Sequence, residues 1–124
     1  MKKLALVGAS GLVGTTLVDY LQQSYTLLPT CFSNPVPGFT KLDITNPDAY
    51  HAFLDAECPD IVIHAAALTD LERCEHHPDE AAHYNTKSLE VLLDHPAKIV
   101  YISTDGVFDG TKGNYVETDP TTPI

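Results

Sequence analysis

The chain is poor in several residue types, and each shortage excludes a class of protein. Tryptophan is absent, methionine occurs once, and seven lysines and arginines stand against 17 aspartates and glutamates. The formal net charge of -10 leaves no basic patch, so we expect neither nucleic acid nor an anionic membrane as a partner. The apolar runs fall far short of the roughly 20 residues of a membrane-spanning helix, and the first residues lead into a strand rather than a signal peptide.

Cysteine is also scarce, and its distribution argues against a disulfide framework. Cys31, Cys58 and Cys74 are odd in number and widely spaced, and no C-x-x-C motif occurs. Reduced thiols in a cytoplasmic protein are the simplest account of this pattern. The cluster "CEHH" at residues 74–77, together with His83, raises the alternative of a metal site. Its spacing fits no tetrahedral ligand set well, and a loop at a helix start explains it, so we expect no metal.

Short apolar runs alternate with helix-like stretches along the whole chain. With 124 residues, 44% of them apolar and 19% charged, the composition is typical of one globular domain. Continuous apolar runs predict strands that are covered on both faces of a sheet. The predicted strands lie in the segments "KLALVG", "YTLLPTCF", "KLDI", "DIVIHAAA" and "KIVYIST".

Three helices are predicted between these runs. Apolar residues at helical spacing predict the first over residues 12–23. Asn46 and Pro47 provide a capping side chain and a proline where the missing N–H costs nothing, so the second begins there and ends before Pro59. The third is predicted over residues 79–95. Its apolar side is formed by Ala82, Leu89, Leu92 and Leu93.

Strands that alternate with helices are joined by right-handed crossovers, which gives an α/β fold. We predict a Rossmann-like, doubly wound parallel sheet with strand order 3-2-1-4-5. Ligands bind such sheets beyond the carboxyl ends of the strands, near the point where the strand order reverses. Residues 8–14, 64–70 and 103–109 are expected at that edge.

The segment "GASGLVG" places Gly8, Gly11 and Gly14 between the first strand and the first helix. The first glycine permits the tight turn, and the second lets the backbone approach a pyrophosphate. The third allows close packing of helix and strand, with the phosphates at the helix N-terminus. A glycine-rich turn without a ligand is the alternative. In this context we predict a dinucleotide-binding loop.

The cofactor's identity depends on residues about 20 positions further on. An acid there would bind the NAD ribose, and an arginine would accept the NADP phosphate. Residues 31–34 ("CFSN") contain neither; Ser33 and Asn34 could donate to a phosphate, which favours NADP(H) over NAD(H). Asp43 and Ile44 could touch the adenine or form an ordinary strand end. The small side chains of residues 65–67 leave room for a flat ligand, although close packing would use them too.

Several segments occur together in a specific order. They are "GASGLVG", "LDIT", "DIVIHAAALTDLERCE", "HPDEAAHYNT", "YISTDGVFDG" and "GNYVETDPTTP". With these segments across nearly all its positions, the chain resembles the extended short-chain dehydrogenase/reductases, in particular the dTDP-4-dehydrorhamnose reductase branch. Relatives of that branch include a regulatory subunit of methionine adenosyltransferase.

The resemblance implies an NAD(P)H-dependent reductase that acts on a nucleotide-activated keto-sugar. It implies that Thr104 polarises the substrate carbonyl and that Asn85 supports a catalytic water relay. The alternative for Thr104 is a strand-end hydroxyl that bonds its own backbone. The substrate-binding residues would be Thr104, Asp105 and Val107. The cofactor-binding residues would be Gly8, Ser10, Gly11, Leu12, Val13, Gly14, Ser33, Asp43, Ile44, Ala65, Ala66, Ala67 and Ser103.

Two departures from the family pattern limit these implications. Gly106 stands where many relatives carry an aromatic residue, and none of the six tyrosines is followed four positions later by a lysine. That pair would form the general acid. We therefore predict that residues 1–124 are the NAD(P)-binding Rossmann domain of a longer reductase, truncated before the later strands and the catalytic tyrosine helix, and inactive alone. A homodimer is expected through the open strand edge. A non-catalytic, dinucleotide-binding regulatory module and a non-functional remnant remain alternatives.

Overall fold

The computed structural model describes residues 1–123 and contains a five-stranded parallel sheet. The strands are β1 (Lys3–Val7), β2 (Thr26–Cys31), β3 (Thr40–Lys41), β4 (Ile61–His64) and β5 (Lys98–Tyr101). Their order in the sheet is β3-β2-β1-β4-β5, and every pairing is parallel. In the central strand, Ala5 is in register with Leu28 on one side and Val62 on the other. The predicted fold class and strand order are confirmed.

Helices connect the strands and cover both faces of the sheet. The α-helices are α1 (Leu12–Leu21), α2 (Pro47–Glu57), α3 (Leu71–His76) and α4 (Pro78–Asn85), and two 3-10 helices cover Lys87–Leu92 and Asp105–Val107. Helix α2 begins as the sequence predicts, because the Asn46 side chain accepts a hydrogen bond from the Ala49 N–H at 3.1 Å. It ends at Cys58, whose φ of 46° lies in the left-handed region. No helix in residues 1–123 is long and apolar enough to cross a membrane.

The prediction of one helix over residues 79–95 is wrong. Helix α4 ends at Asn85, Thr86 leaves helical geometry with φ -125° and ψ -61°, and a 3-10 helix follows. The tighter 3-10 turn has three residues per turn and changes which side chains face the sheet. Leu92 is buried, as expected, but Leu93 is 79% exposed. Helix α3 was not predicted either, and the Asp70 carboxylate caps it by accepting from the Arg73 N–H at 2.9 Å.

Pro29 lies within β2, in register with Leu6 of the central strand. Proline is tolerated here because β3 is only two residues long. Strand β3 pairs with Thr30 and Cys31, so within residues 1–123 no strand pairs with the outer side of β2 at Pro29.

The core has two layers, one on each face of the sheet. Leu4, Leu6 and Ala9 pack toward α1. The larger layer lies under α2 and the first 3-10 helix. It contains Ala5, Val7, Leu42, Ile44, Tyr50, Phe53, Leu54, Val62, Val91 and Leu92. Strand β5, predicted to be buried, is instead largely exposed, including Val100 and Tyr101. The reason is its position at the sheet edge, with β4 as its only neighbour among the described residues.

Candidate functional site

A cleft of about 260 Å³ opens beyond the carboxyl ends of β1, β2 and β4. The strand order reverses at β1, because β2 and β3 lie on one side of it and β4 and β5 lie on the other. Such a reversal is where open α/β sheets bind ligands. No lining residue is charged. The lining residues are Gly8, Ser10, Gly11, Thr30, Cys31, Phe32, Ser33, Asn34, Leu42, Ile44, Ala65, Ala66, Ala67 and Tyr84.

Two glycines of the loop are required by the protein's own packing. Gly8 has a φ of +86°, and a Cβ built on it would lie 2.7 Å from the Ala66 backbone nitrogen. A Cβ on Gly14 would lie 2.2 Å from the Gly8 carbonyl oxygen and 2.6 Å from the Ala9 Cα. All three distances are below any normal contact, so helix α1 and β4 can approach the loop only with glycine at these positions.

Gly11 is different, because the chain itself does not require it. Its φ of -78° suits any residue, and an added Cβ would meet only the Gly8 carbonyl oxygen, at 3.4 Å. Gly11 lines the cleft as the N-cap of α1. A side chain there would project toward whatever occupies the cleft, so glycine at this position favours close approach of a ligand.

The first turn of α1 offers free hydrogen-bond donors beside this glycine. In the part of the chain that the structure describes, the backbone N–H groups of Leu12, Val13 and Gly14 have no acceptor, whereas Thr15 N–H donates to the Gly11 carbonyl at 2.9 Å. Unpaired N–H groups and the positive end of the helix dipole attract anions. The residues present therefore fit a pyrophosphate.

The structure brings together most of the residues predicted to bind a cofactor. Leu12, Val13, Gly14, Asp43 and Ser103 do not line the cleft. The Asp43 carboxylate instead accepts from the Thr45 N–H at 2.9 Å and hydroxyl at 2.6 Å, as in an ordinary strand-end turn. Those that line it are Gly8, Ser10, Gly11, Ser33, Ile44, Ala65, Ala66 and Ala67.

Sequence reasoning assigned no role to five lining residues, Thr30, Cys31, Phe32, Leu42 and Tyr84. The Thr30 hydroxyl oxygen accepts from the Gly8 N–H at 3.3 Å, and its carbonyl accepts from the Ala9 N–H at 2.9 Å. These bonds tie the glycine loop to the end of β2. A polar residue inside an apolar strand could have signalled Thr30. Tyr84 could not be found, because its position depends on where α4 ends.

Asn85, predicted to support a water relay, holds the backbone after β4. Its side-chain oxygen accepts from the Leu68 N–H at 2.8 Å, and its amide nitrogen donates to the Leu68 carbonyl at 3.0 Å. This two-point contact fixes the segment that follows residues 65–67, so Asn85 shapes the cleft without lining it.

The residues predicted to contact substrate lie at the carboxyl end of β5, outside the cleft lining. Thr104 is exposed, and its hydroxyl oxygen accepts from the Gly106 N–H at 3.1 Å. This bond to the local backbone is the alternative role that the sequence analysis gave for the Thr104 hydroxyl. Asp105 and Val107 belong to the 3-10 helix that this bond begins.

The loop after Thr104 is organised by one carboxylate. Asp109 accepts hydrogen bonds from the Tyr115 hydroxyl at 2.6 Å and from the Thr111 N–H and hydroxyl at 3.0 and 2.8 Å. These bonds, that to Tyr115 foremost, lower the pKa of Asp109 to about 2. The Tyr115 ring also stacks on Phe108 with centroids 4.4 Å apart. The loop is therefore held by its own side chains.

His64, at the end of β4, is buried and structural. Its Nδ1 shares a hydrogen bond of 2.9 Å with the Tyr50 hydroxyl, and its Nε2 has no partner among residues 1–123. Burial penalises the imidazolium and lowers the pKa of His64 to about 4, against a weaker opposing effect of the Ala66 backbone. Burial likewise raises the pKa of Tyr50. His64 is therefore neutral near pH 7.

Two members of the cysteine and histidine cluster around helix α3 contact the backbone. The Cys74 thiol donates to the Leu68 carbonyl at 3.4 Å, and the His83 Nδ1 lies 2.7 Å from the Asp79 carbonyl oxygen. Across residues 1–123 no group of three or more His, Cys, Asp or Glu side chains is placed to hold a metal ion. Cys31, Cys58 and Cys74 are all free thiols.

The parallel sheet, the glycine loop and the cleft at the reversal of strand order define a Rossmann-like fold. Within that class, the family model described as the RmlD substrate binding domain matches residues 1–124. The chain belongs to this family.

Similar proteins align with nearly all of this chain, and the chain covers only part of their own length. The dTDP-4-dehydrorhamnose reductase of Aggregatibacter actinomycetemcomitans is 34% identical over 100% of this chain and 42% of its own length. Methionine adenosyltransferase 2 subunit beta of Bos taurus is 30% identical over 99% of this chain and 38% of its own. The chain thus spans less than half the length of these relatives.

Solved structures agree with this assignment. A hypothetical dTDP-4-dehydrorhamnose reductase from Sulfolobus tokodaii superposes with a TM-score of 0.92 and 36% identity, over 100% of this chain and 46% of its own. The dTDP-4-dehydrorhamnose reductase of Bacillus anthracis, solved in complex with NADP, superposes with a TM-score of 0.85 and 31% identity, over 99% and 43%.

Proposed function

We propose that this chain is the cofactor-binding part of an NAD(P)H-dependent reductase of a nucleotide-activated keto-sugar. The observation that carries the proposal is the glycine loop. Gly8 and Gly14 are fixed by packing, while Gly11 lines the cleft and the next three backbone N–H groups at the start of α1 have no acceptor among residues 1–123. A pyrophosphate would occupy that position, and the B. anthracis relative was solved with NADP.

NADP(H) is the cofactor that we favour within this proposal. Ser33 and Asn34 line the cleft at the end of β2, and no carboxylate lines it. A carboxylate there would bind the ribose of NAD and repel an added phosphate. The adenine would lie against Ile44 and the small side chains of residues 65–67, which leave the cleft open to a flat ring.

The proposed chemistry is hydride transfer to a sugar carbonyl. Bound cofactor would supply the hydride. In this chain the Thr104 hydroxyl would donate a hydrogen bond to the carbonyl oxygen as negative charge develops on it. Its oxygen already accepts from Gly106, which orients the hydroxyl. Asp105 and Val107 would contact the sugar, and Asn85 would order water through the backbone segment that it holds. A cytoplasmic location and a homodimer belong to the same proposal.

Binding and turnover test the two halves of this proposal separately. Calorimetry with NADPH and NADH on the purified protein should show binding, and replacement of Gly11 by valine should abolish it. Equal binding by the Gly11→Val variant would remove the loop from the site. Oxidation of NADPH in the presence of a dTDP-4-keto-sugar, measured on the longest natural chain that contains these residues, then tests the reductase assignment.

A regulatory role is the second candidate. It is suggested by the 30% identity to methionine adenosyltransferase 2 subunit beta. A protein of this kind would bind the dinucleotide in the same cleft without turnover. Cofactor binding without NADPH oxidation in the longest natural chain would favour this role over the reductase.

A further inference from the structure

One lysine lies beside the cleft at the point where the cofactor's ribose is expected. Lys41 ends β3 and is in register with Cys31, the last residue of β2. Its Nζ lies 5.6 Å from the ring centroid of Phe32, which lines the cleft directly after β2. The ammonium group therefore lies beside the residue that directly precedes Ser33 and Asn34.

The charge of Lys41 has no other evident use. In residues 1–123 the two ion pairs involve Arg73 and Lys112, and Lys41 takes part in neither. The cleft lining contains no charged side chain of either sign. A contact between an exposed ammonium and an aromatic face is weak, whereas a charge-assisted hydrogen bond to a phosphate is strong. The Phe32 ring therefore positions the ammonium without retaining it.

The position of Lys41 also explains how the chain could bind a phosphate without the usual arginine. The residues after β2, where sequence patterns place the cofactor-selecting side chain, carry no charge. Strand β3 brings a cation to the same rim from ten positions further along the chain, through its register with β2. The residues directly after β2 therefore do not reveal this cation.

We infer that Lys41 selects for a dinucleotide that carries a 2′-phosphate, with its ammonium group donating to that phosphate. The inference rests on the proposed dinucleotide site and assigns the cofactor preference to one residue outside the cleft lining. Ser33 and Asn34 would complete the phosphate contacts from β2. A ribose with a free 2′-hydroxyl would gain little from Lys41, because it carries no charge to attract the ammonium.

Substitution of Lys41 tests this directly. Lys41→Met keeps most of the methylene stem against Phe32 and removes the charge. We expect it to weaken NADP binding by about tenfold or more and to leave NAD binding within about twofold, by calorimetry at low salt. Lys41→Arg should retain the preference for NADP. The preference should shrink as salt is raised, since the pair is exposed.

Lys98→Met is the matched control. It removes the same charge from the start of β5, at the opposite end of the sheet from the cleft. This variant should bind both cofactors as the unaltered protein does. Far-ultraviolet circular dichroism and thermal unfolding establish that all three variants are folded.

The outcomes separate this inference from the proposed function. An unaltered protein that binds neither cofactor overturns the dinucleotide site and this inference together. In a further outcome, the unaltered protein binds both cofactors while Lys41→Met keeps its affinity for both or loses affinity for both equally. The role of Lys41 is then wrong, and the dinucleotide site is retained. A matching loss of NADP binding in Lys98→Met would overturn the inference as well, because the effect would then be a general one of net charge.

Discussion

At the scale of single residues, the glycine loop shows what sequence can and cannot determine. The spacing of Gly8, Gly11 and Gly14 predicted a turn between strand and helix, and the structure has one. The sequence could not show how tightly Gly8 approaches Ala66, because that contact joins β1 to β4 across 58 positions of chain. The same loop therefore contains two glycines needed for folding and one that folding does not need.

Substitution by alanine should separate these roles. Gly14→Ala places a Cβ 2.2 Å from the Gly8 carbonyl and should destabilise the protein by about 1–3 kcal/mol or more. Gly11→Ala should change stability by less than about 1 kcal/mol while weakening dinucleotide binding. Thermal unfolding and calorimetry measure the two effects. A Gly11→Ala protein as unstable as Gly14→Ala would contradict the distinction.

His64 predicts a dependence of stability on pH. Its pKa is about 4 in the folded protein and 6.5 as a free side chain, so the unfolded chain binds more protons between these values. Stability from keeping His64 neutral is full above pH 6.5 and is lost as the pH falls toward 4. This difference between the two pKa values corresponds to a loss of roughly 3 kcal/mol in the free energy of unfolding.

Denaturant unfolding between pH 7 and 4 measures this effect. His64→Asn should lower stability at pH 7 and flatten the slope within that window. Loss of stability from protonation of Asp109 has the same sign but falls lower, from pH 3.8 down to about 2. An equal slope in both proteins between pH 6.5 and 4 would remove His64 as its cause.

At the scale of elements, the strand order and the bounds of α2 followed from the sequence, whereas the end of α4 did not. Alternating apolar runs and helical stretches leave few topologies open, because crossovers are right-handed. The break after Asn85 has no such local signal. At the break, the Ser88 hydroxyl donates to the Tyr84 carbonyl at 2.6 Å, and the Asn85 side chain bonds to Leu68. The first bond takes the acceptor that a continued α-helix would use for the Ser88 N–H.

Removal of the Asn85 amide should therefore loosen the segment after β4. Asn85→Ala leaves the Leu68 N–H without an acceptor and its carbonyl with only the Cys74 thiol, which we expect to cost about 1–3 kcal/mol. Amide exchange at Leu68 should accelerate more than exchange in β1. Asn85→Asp keeps the acceptor for the Leu68 N–H and loses the donor to the Leu68 carbonyl. Its exchange rate at Leu68 should therefore lie between those of the unaltered protein and Asn85→Ala. Unchanged exchange in Asn85→Ala would show that water replaces the side chain fully.

At the scale of the whole molecule, strand β5 is the least covered part of the sheet. Val100 and Tyr101 are exposed on a strand whose outer edge has no neighbour among residues 1–123. An open apolar edge pairs readily with another such edge. A protein consisting of residues 1–124 should therefore dimerise in sedimentation experiments as its concentration rises. Val100→Lys should shift it toward monomer, and an unaltered protein that stays monomeric would exclude this edge as an interface.

Catalysis by residues 1–124 alone is limited by the groups that they contain. Reduction of a keto-sugar needs a hydride and a proton at the carbonyl oxygen. Thr104 can orient that oxygen, but its hydroxyl does not release a proton near neutral pH. None of the six tyrosines has a lysine four positions later to lower its pKa, and such general acid catalysis contributes about 10²–10⁴-fold.

Orientation of the sugar would be lost as well, because Thr104, Asp105 and Val107 lie outside the cleft lining and the first two are exposed. We therefore expect residues 1–124 to bind NADPH and to oxidise none of it with a dTDP-4-keto-sugar, at high protein concentration and free of host reductase. Turnover within about tenfold of a full-length dTDP-4-dehydrorhamnose reductase would mean that an unrecognised proton donor acts within these residues. Tyr84, which lines the cleft, would then be the first residue to replace by phenylalanine.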